Sequence, residues 1–445
     1  MSEARDAWGE RLPRRLGVWS AVAVLIGTTV GAGIFRVPAL VAASAQDPSA
    51  VLLAWVLGGA VSLCGALAIA ELAGAMPRSG GIFVYIWEGF GPLPAFLFGW
   101  AEMLVIRPAA LGGIATICAE HAGHFVPLSP LHGRYLAAVL IAGVGIINYS
   151  GTRRAAAAMN FITGLKFAAL AILAILAFGA GRGSFSHFHS QSDAGTRLLL
   201  AASPLIPILW TYDGWSNLSF VGGEIANPQK NLPLALILGT AAIIALYLSI
   251  NAAFIYLVPV TAMAHMPLIA AAAASRIPLL HGYGPSIVAA TVIAATLGSL
   301  IGCMMTGPRV VFAMAERGLF FAGIARISPR FSTPSTAIAL STLLGVALTL
   351  ASDFAHLVDR FVLGSWPFYA LAVAAVFVLR RRRPEMARPY RAWGYPVVPA
   401  LFLLASVAMV IQALWTDPLN TLFTFAVILA GVPVYLFRKR YGTRH

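Results

Sequence analysis

Charge is what this 445-residue chain has least of. Only 10% of its residues are Asp, Glu, Lys or Arg, against 59% hydrophobic residues and a mean hydropathy of +0.84. Soluble domains carry about a quarter charged residues, so a soluble globular fold is excluded. Cysteine is scarce as well. Cys64, Cys118 and Cys303 all lie in apolar stretches, which argues against a disulfide framework and against a cysteine-based metal site. The nine histidines fall in loops, at the ends of apolar runs or at the tail. Neither a His/Glu metal pair nor a serine–base dyad sits within an apolar run, so the usual constellations of an intramembrane enzyme are missing. No catalytic residue, metal site or cofactor is expected.

What the chain has instead is long apolar segments. They predict an all-α polytopic membrane protein with 12 spans, near residues 16–42, 49–75, 94–119, 134–151, 157–180, 198–222, 232–258, 284–314, 334–351, 357–379, 395–415 and 419–437. The polar N-terminal residues 1–15 lead into a segment too long for a cleavable signal. The formal charge of +14 is distributed by topology. With the N-terminus cytoplasmic, 22 of the 30 Lys and Arg fall on the cytoplasmic side, including Arg5, Arg11, Arg153, Lys230 and the run Arg380–Arg383. That is the positive-inside pattern, so both termini, 1–15 and 438–445, are expected in the cytoplasm. The basic surplus then faces anionic lipid, not nucleic acid. Arg outnumbers Lys 27 to 3 and Ala is abundant, a composition that points to a GC-rich bacterial genome and hence the bacterial inner membrane.

The first span is interrupted. It carries Gly27-Thr28-Thr29-Val30-Gly31-Ala32-Gly33-Ile34-Phe35, and three glycines in seven residues are poor helix formers. Small residues at four-residue spacing also suit close helix packing. The sharper expectation is a discontinuous helix, whose freed N–H and C=O groups are tolerable in a membrane only where they line a cavity or bind something. The sixth span repeats the anomaly with Pro204, Pro207 and Trp210-Thr211-Tyr212-Asp213-Gly214-Trp215. Two broken spans, five apart, predict two five-helix units of inverted topology, 16–180 and 197–379, followed by two further helices in 395–437. Beyond the breaks and the count, no residue-level repeat is visible.

Charges inside the third and fifth spans also stand out. Glu102 and Arg107 share the third span, five residues and about 140° apart on an ideal helix, so a direct pair requires distortion near Pro108 or long rotamers. A structural clamp between helices is the preferred role for Arg107, with a substrate contact as the alternative. Lys166, in the fifth span, either snorkels toward the interface or is a fixed ammonium against the broken first helix. Two peripheral features are also expected: an amphipathic helix on the cytoplasmic interface over Ile82–Pro92, and a surface helix within Met263–Leu280.

Gly31-Ala32-Gly33-Ile34-Phe35, Pro77-Arg78-Ser79-Gly80-Gly81, Glu102 with Ile106-Arg107-Pro108, Tyr212-Asp213-Gly214-Trp215 and Glu224-Ile225-Ala226-Asn227-Pro228-Gln229-Lys230-Asn231-Leu232-Pro233 occur in this order across the first seven spans. Together they resemble the amino acid/polyamine/organocation superfamily, and within it bacterial relatives of the L-type amino acid transporters. The resemblance implies alternating access and a site at the paired breaks. N–H groups of Gly31, Ala32, Gly33 and Ile34 would take the substrate α-carboxylate, in keeping with the partial positive charge of a half-helix N-terminus. Carbonyls at Thr29, Val30, Trp210 and Thr211 would take the α-ammonium, with Tyr212, Asp213 and Gly214 completing the second break. Trp210 matches an aromatic gate, and Lys166 matches a lysine that stands where sodium-dependent members bind sodium. Ala32 replaces a common serine. Asp213 stands where eukaryotic relatives usually have glycine. The loop Gly123–Arg134 lacks the cysteine that would tether a disulfide-linked heavy chain, so a monomer or homodimer is expected.

The function expected is sodium-independent transport of L-amino acids, small or medium and neutral, by exchange or proton coupling. The alternative within the superfamily is a carrier of cationic amino acids or polyamines, with Asp213 or Glu102 as counter-charge. A channel and an intramembrane enzyme are the rivals outside it.

Overall fold

In the computed structural model, residues 16–77, 80–150, 153–190, 192–316, 319–331 and 333–441 are described; of these, the side chains of 153–163, 165, 166, 220–224, 309, 313, 316, 322, 325, 439 and 441 are not. Among the described residues the fold is all-helical, apart from one isolated bridge between Leu16 and Ile225. The chain runs through α1 (Val18–Thr29), α2 (Gly33–Ala45), α3 (Pro48–Ala75), α4 (Gly81–Phe90) and α5 (Pro92–Ala101). A π-helical turn, Glu102–Ile106, joins α5 to α6 (Arg107–Ala122), and α7 (Pro130–Tyr149) and α8 (Arg153–Ala180) follow. Next come α9 (Ala194–Ala202), α10 (Leu205–Tyr212), a 3-10 stretch (Trp215–Glu224), α11 (Pro228–Leu257), α12 (Val260–Met263) and α13 (Ile269–Ala274). The remainder is α14 (Gly284–Glu316), α15 (Ser335–Ala351), α16 (Phe354–Arg382), α17 (Val397–Thr416), α18 (Pro418–Leu429) and α19 (Gly431–Tyr441).

Local chemistry sets many of the starts. Asp47 precedes Pro48 and its carboxylate accepts from the Ala50 N–H at 2.9 Å; Ser129 before Pro130 and Asp353 before Phe354 cap α7 and α16 in the same way. A side-chain acceptor at the cap satisfies a donor that a helix cannot, and proline at the first position gives up none. Ser190 and Ser192 hydroxyls also donate to Asp47, at 2.7 and 3.2 Å. Burial would raise its pKa, but these bonds and that from Ala50 hold it below the ordinary aspartate value.

Among the described residues, eight helical segments are long and apolar enough to cross a bilayer, or up to ten if each of two sharply bent pairs is one span. The chain is therefore a polytopic α-helical membrane protein. The bent pairs are α1 with α2, at 51°, and α9 with α10, at 58°. The expected fifth and ninth spans correspond to α8, whose described apolar part is Phe167–Ala180, and to the 17-residue α15. Two peripheral expectations need correction. The helix at Gly81–Phe90 forms but buries Ile82 to Ile86 against α16 and the 3-10 stretch, so it is part of the bundle and not an interfacial float. The Ala-rich segment forms the short α13, with Ile269, Ala270, Ala273 and Ala274 buried, and a 3-10 turn at Pro278–Leu280. By contrast, α17 carries an exposed apolar row (Leu401, Leu404, Val407, Ile411) and packs on α3 and α16, the peripheral position expected of it.

Candidate functional site

Both predicted interruptions are present, and they meet. α1 ends at Thr29 and α2 begins at Gly33, leaving Val30, Gly31 and Ala32 outside either helix. α10 ends at Tyr212; Asp213 is extended, and Gly214 takes φ +120, a value that L side chains rarely adopt. A Cβ on Gly33 would lie 2.7 Å from Thr211 Oγ1, and one on Gly214 would lie 2.8 Å from Thr29 Cα. Glycine at these two positions is what lets the broken helices touch at both ends of the gap. The Thr28 hydroxyl reaches the Gly214 carbonyl at 3.3 Å.

The backbone groups fall on opposite sides of the break. The N–H groups of Ala32, Gly33 and Ile34 precede or open α2, where no helical acceptor exists for them, and no other backbone carbonyl takes them among the described residues. The Gly31 N–H interacts with the Tyr247 hydroxyl. At the opposite ends, the carbonyls of Thr29 and Thr211 both accept from that same hydroxyl, each at 3.1 Å. One O–H holds a single proton, so the two carbonyls share it. Sequence reasoning missed Tyr247. Its signal was a phenol within the apolar run of α11, with Asn251 one turn on donating to the Tyr247 carbonyl at 2.8 Å. Tyr247 packs with Tyr212 and Trp55 in a buried aromatic triad, ring centroids 5.1 to 5.8 Å apart, and the Tyr212 hydroxyl donates to the Trp55 carbonyl at 3.1 Å.

A second polar group lies across the sixth-span break. The Tyr369 hydroxyl, from α16, donates to Asp213 Oδ1 at 2.9 Å. Arg107 is bonded to Glu102 through one terminal nitrogen and to Cys303 Sγ, on α14, at 3.2 Å through the other. The π-turn explains the pair: the Arg107 N–H bonds back five residues to the Glu102 carbonyl, and this wide turn brings two side chains five apart onto one face. Arg107 also lies over Gly307, where a Cβ would meet its Nε at 2.0 Å. Asp213 interacts electrostatically with both Glu102 and Arg107. The expected distortion is thus real, but it sits before Pro108. Arg107 bridges the third span to α14, the clamp geometry, while lying next to the break.

Trp210 stands on one side of the breaks. It is 8% exposed, its ring is edge-on to Phe354 at 5.5 Å, and a Cβ on Gly113 would touch it at 3.2 Å. Ile34, two residues before Arg36 on α2, is fully buried. The backbone of Lys166 lies within α8, and its side chain is outside the described residues.

The comparisons with known proteins agree with this architecture. Residues 16–435 match the amino acid permease family. The chain is 29% identical to the serine/threonine exchanger SteT of Bacillus subtilis (strain 168) over 431 residues, covering 96% of this chain and 98% of that one. It is 29% identical to the human b(0,+)-type amino acid transporter 1 over 439 residues, 97% and 89% of the two chains. It is 30% identical to the human cystine/glutamate transporter over 434 residues, 96% and 85%. With nearly its whole length matched, this chain belongs to the amino acid permease family and is a membrane transporter, not an enzyme.

Proposed function

We propose that the protein is a sodium-independent carrier of small or medium neutral L-amino acids, working by alternating access as an exchanger or with proton coupling. The observation that carries this reading is the contact between the two breaks, Gly33 on Thr211 and Gly214 on Thr29, which sets amide donors beside carbonyl acceptors. An α-carboxylate is matched to the N–H groups of Gly31, Ala32, Gly33 and Ile34, which offer donors and a helix dipole. An α-ammonium is matched to the carbonyls of Thr29, Val30, Trp210 and Thr211. Because the Tyr247 hydroxyl bonds two of those carbonyls, the ammonium shares or displaces that bond. Trp210 then covers the side chain, with Ile34 as apolar wall. Lys166 serves as the fixed cation that replaces sodium.

In this reading the chain has 12 spans, two inverted units (16–180 and 197–379) plus helices in 395–437, and cytoplasmic termini in a bacterial inner membrane. The end bearing Arg380–Arg383 is then the inner end, and that bearing Arg36 and Phe354 the outer. No disulfide-linked heavy chain is needed. The relatives named as amino acid transporters or exchangers support the substrate class.

A second reading has a specific observation behind it. Asp213 Oδ1 accepts from a neutral hydroxyl and the neighbouring Arg107 is bonded to Glu102, so in this reading the Asp213 carboxyl is the counter-group for a cationic side chain. The deciding experiment is reconstitution into liposomes with a panel of labelled amino acids. Uptake of neutral amino acids without sodium, accelerated by internal amino acid or by a proton gradient, is expected. Uptake of cationic substrates that Asp213→Asn abolishes would favour the second reading. No uptake of any α-amino acid, or sustained currents without substrate, would overturn both.

A further inference from the structure

At the outer end, closure has two layers. The inner layer is aromatic: Trp210 from α10 meets Phe354 at the start of α16, backed by Gly113 of α6. The outer layer is charged: Arg36 Nε of α2 donates to Glu120 Oε2 of α6 at 2.9 Å, with side chains 15% and 28% exposed. The two layers share one residue, because the Arg36 guanidinium also stands 5.4 Å from the centre of the Phe354 ring. Arg36 lies one helical turn beyond Gly33, on the half-helix that carries the free amide donors. Glu120 lies two turns beyond Gly113 on α6, so it shares a face with the residue that touches Trp210.

We propose that Arg36 and Glu120 form a latch that keeps the site shut toward the outside, and that this latch must part before substrate enters from that side. This rests on the transport reading above. Arg36 and Glu120 are positioning residues: they touch no substrate and act through α2 and Phe354. The attraction within a half-buried ion pair is screened less than that within an exposed one. The cation over the Phe354 ring adds an attraction lost at the same moment. Opening α2 away from α6 breaks both contacts together, and only then is Phe354 free to release Trp210. The latch thus links loosening of the amide donors to opening of the aromatic lid.

Ile117, fully buried between Gly113 and Glu120 on α6, is the place for a reporter of opening, the variant Ile117→Cys. In proteoliposomes it is labelled from outside by a membrane-impermeant methanethiosulfonate, with the labelling of the parent protein subtracted. Arg36→Gln and Glu120→Gln are each expected to raise the labelling rate about tenfold and to lower the external KM relative to the internal one. The reversed pair Arg36→Glu with Glu120→Arg is expected to slow labelling again. Parent-like labelling rates in both folded single variants, or no recovery in the reversed pair, would overturn the latch. If the Ile117 reporter does not fold, an unchanged ratio of external to internal KM in Glu120→Gln overturns it equally. Faster labelling in a protein that transports no amino acid would keep the latch and sink the transport reading instead.

Discussion

Replacing Glu102 with Gln tests whether the pair beside the break is a structural clamp. The carboxylate is almost fully buried, with a side chain 5% exposed, and its partner Arg107 bonds the Cys303 sulfur through the other terminal nitrogen. Two unit charges about 4 Å apart attract by about 4 kcal/mol at an effective dielectric of 20. Removing one partner of a buried pair costs about 3–5 kcal/mol, chiefly because the other charge is left desolvated. Asp213 is near enough to interact with Arg107 and to compensate in part, which favours the lower figure. At roughly 2 °C per kcal/mol for a large domain, Glu102→Gln should melt about 6 °C lower in detergent. The double variant Glu102→Met with Arg107→Met should recover most of that loss, because neither member of the bonded pair is left desolvated without the other. Thermal unfolding followed by intrinsic fluorescence is the assay. If Glu102→Gln melts within about 1 °C of the parent, or the double variant is no better than the single, the clamp is wrong.

Gly214→Ala should abolish uptake while Gly143→Ala, in open space on α7, leaves it unchanged; only the first meets Thr29 at 2.8 Å and requires φ +120, and equal uptake by both would refute the close contact. Tyr369→Phe removes the donor to Asp213 and should weaken substrate affinity about tenfold, by about 1.4 kcal/mol, read as KM in proteoliposomes. Lys166→Ala should sharply reduce uptake while leaving folded protein in the membrane; wild-type uptake, or sodium dependence of the parent, would mean that the lysine snorkels. Asp47→Ala should cost about 1 kcal/mol as a lost helix cap. Its folded pKa is lowered, so the stabilisation is complete above the ordinary aspartate pKa and disappears only as pH falls through the lower folded value. The melting difference between parent and Asp47→Ala should therefore stay constant from pH 5 to pH 8.

The two breaks were legible because glycine and proline declare backbone geometry locally, whatever surrounds them. Gly31, Gly33 and Gly214 announce a helix that cannot continue, and the structure interrupts it there. The sixth span also shows what local signals blur. Pro204 and Pro207 were read with Asp213 and Gly214 as one interruption, yet the chain bends at 203–204 and unwinds separately at Asp213. The partners of the breaks were less legible, since they are brought in by tertiary packing. Tyr247 and Tyr369 lie 36 and 156 residues from the groups they bond, in spans whose periodicity marks only burial. The Glu102–Arg107 pair fell between these cases. Ideal α-geometry separated the side chains by about 140°, and only the π-turn, which no residue type specifies, closed that angle. An extra residue in a turn costs helix geometry, and here it recovers a neutralised charge beside the site. The same distortion that hides the pair from the sequence keeps Arg107 from standing alone in the bundle, which is why removing Glu102 alone should be harsher than removing the pair.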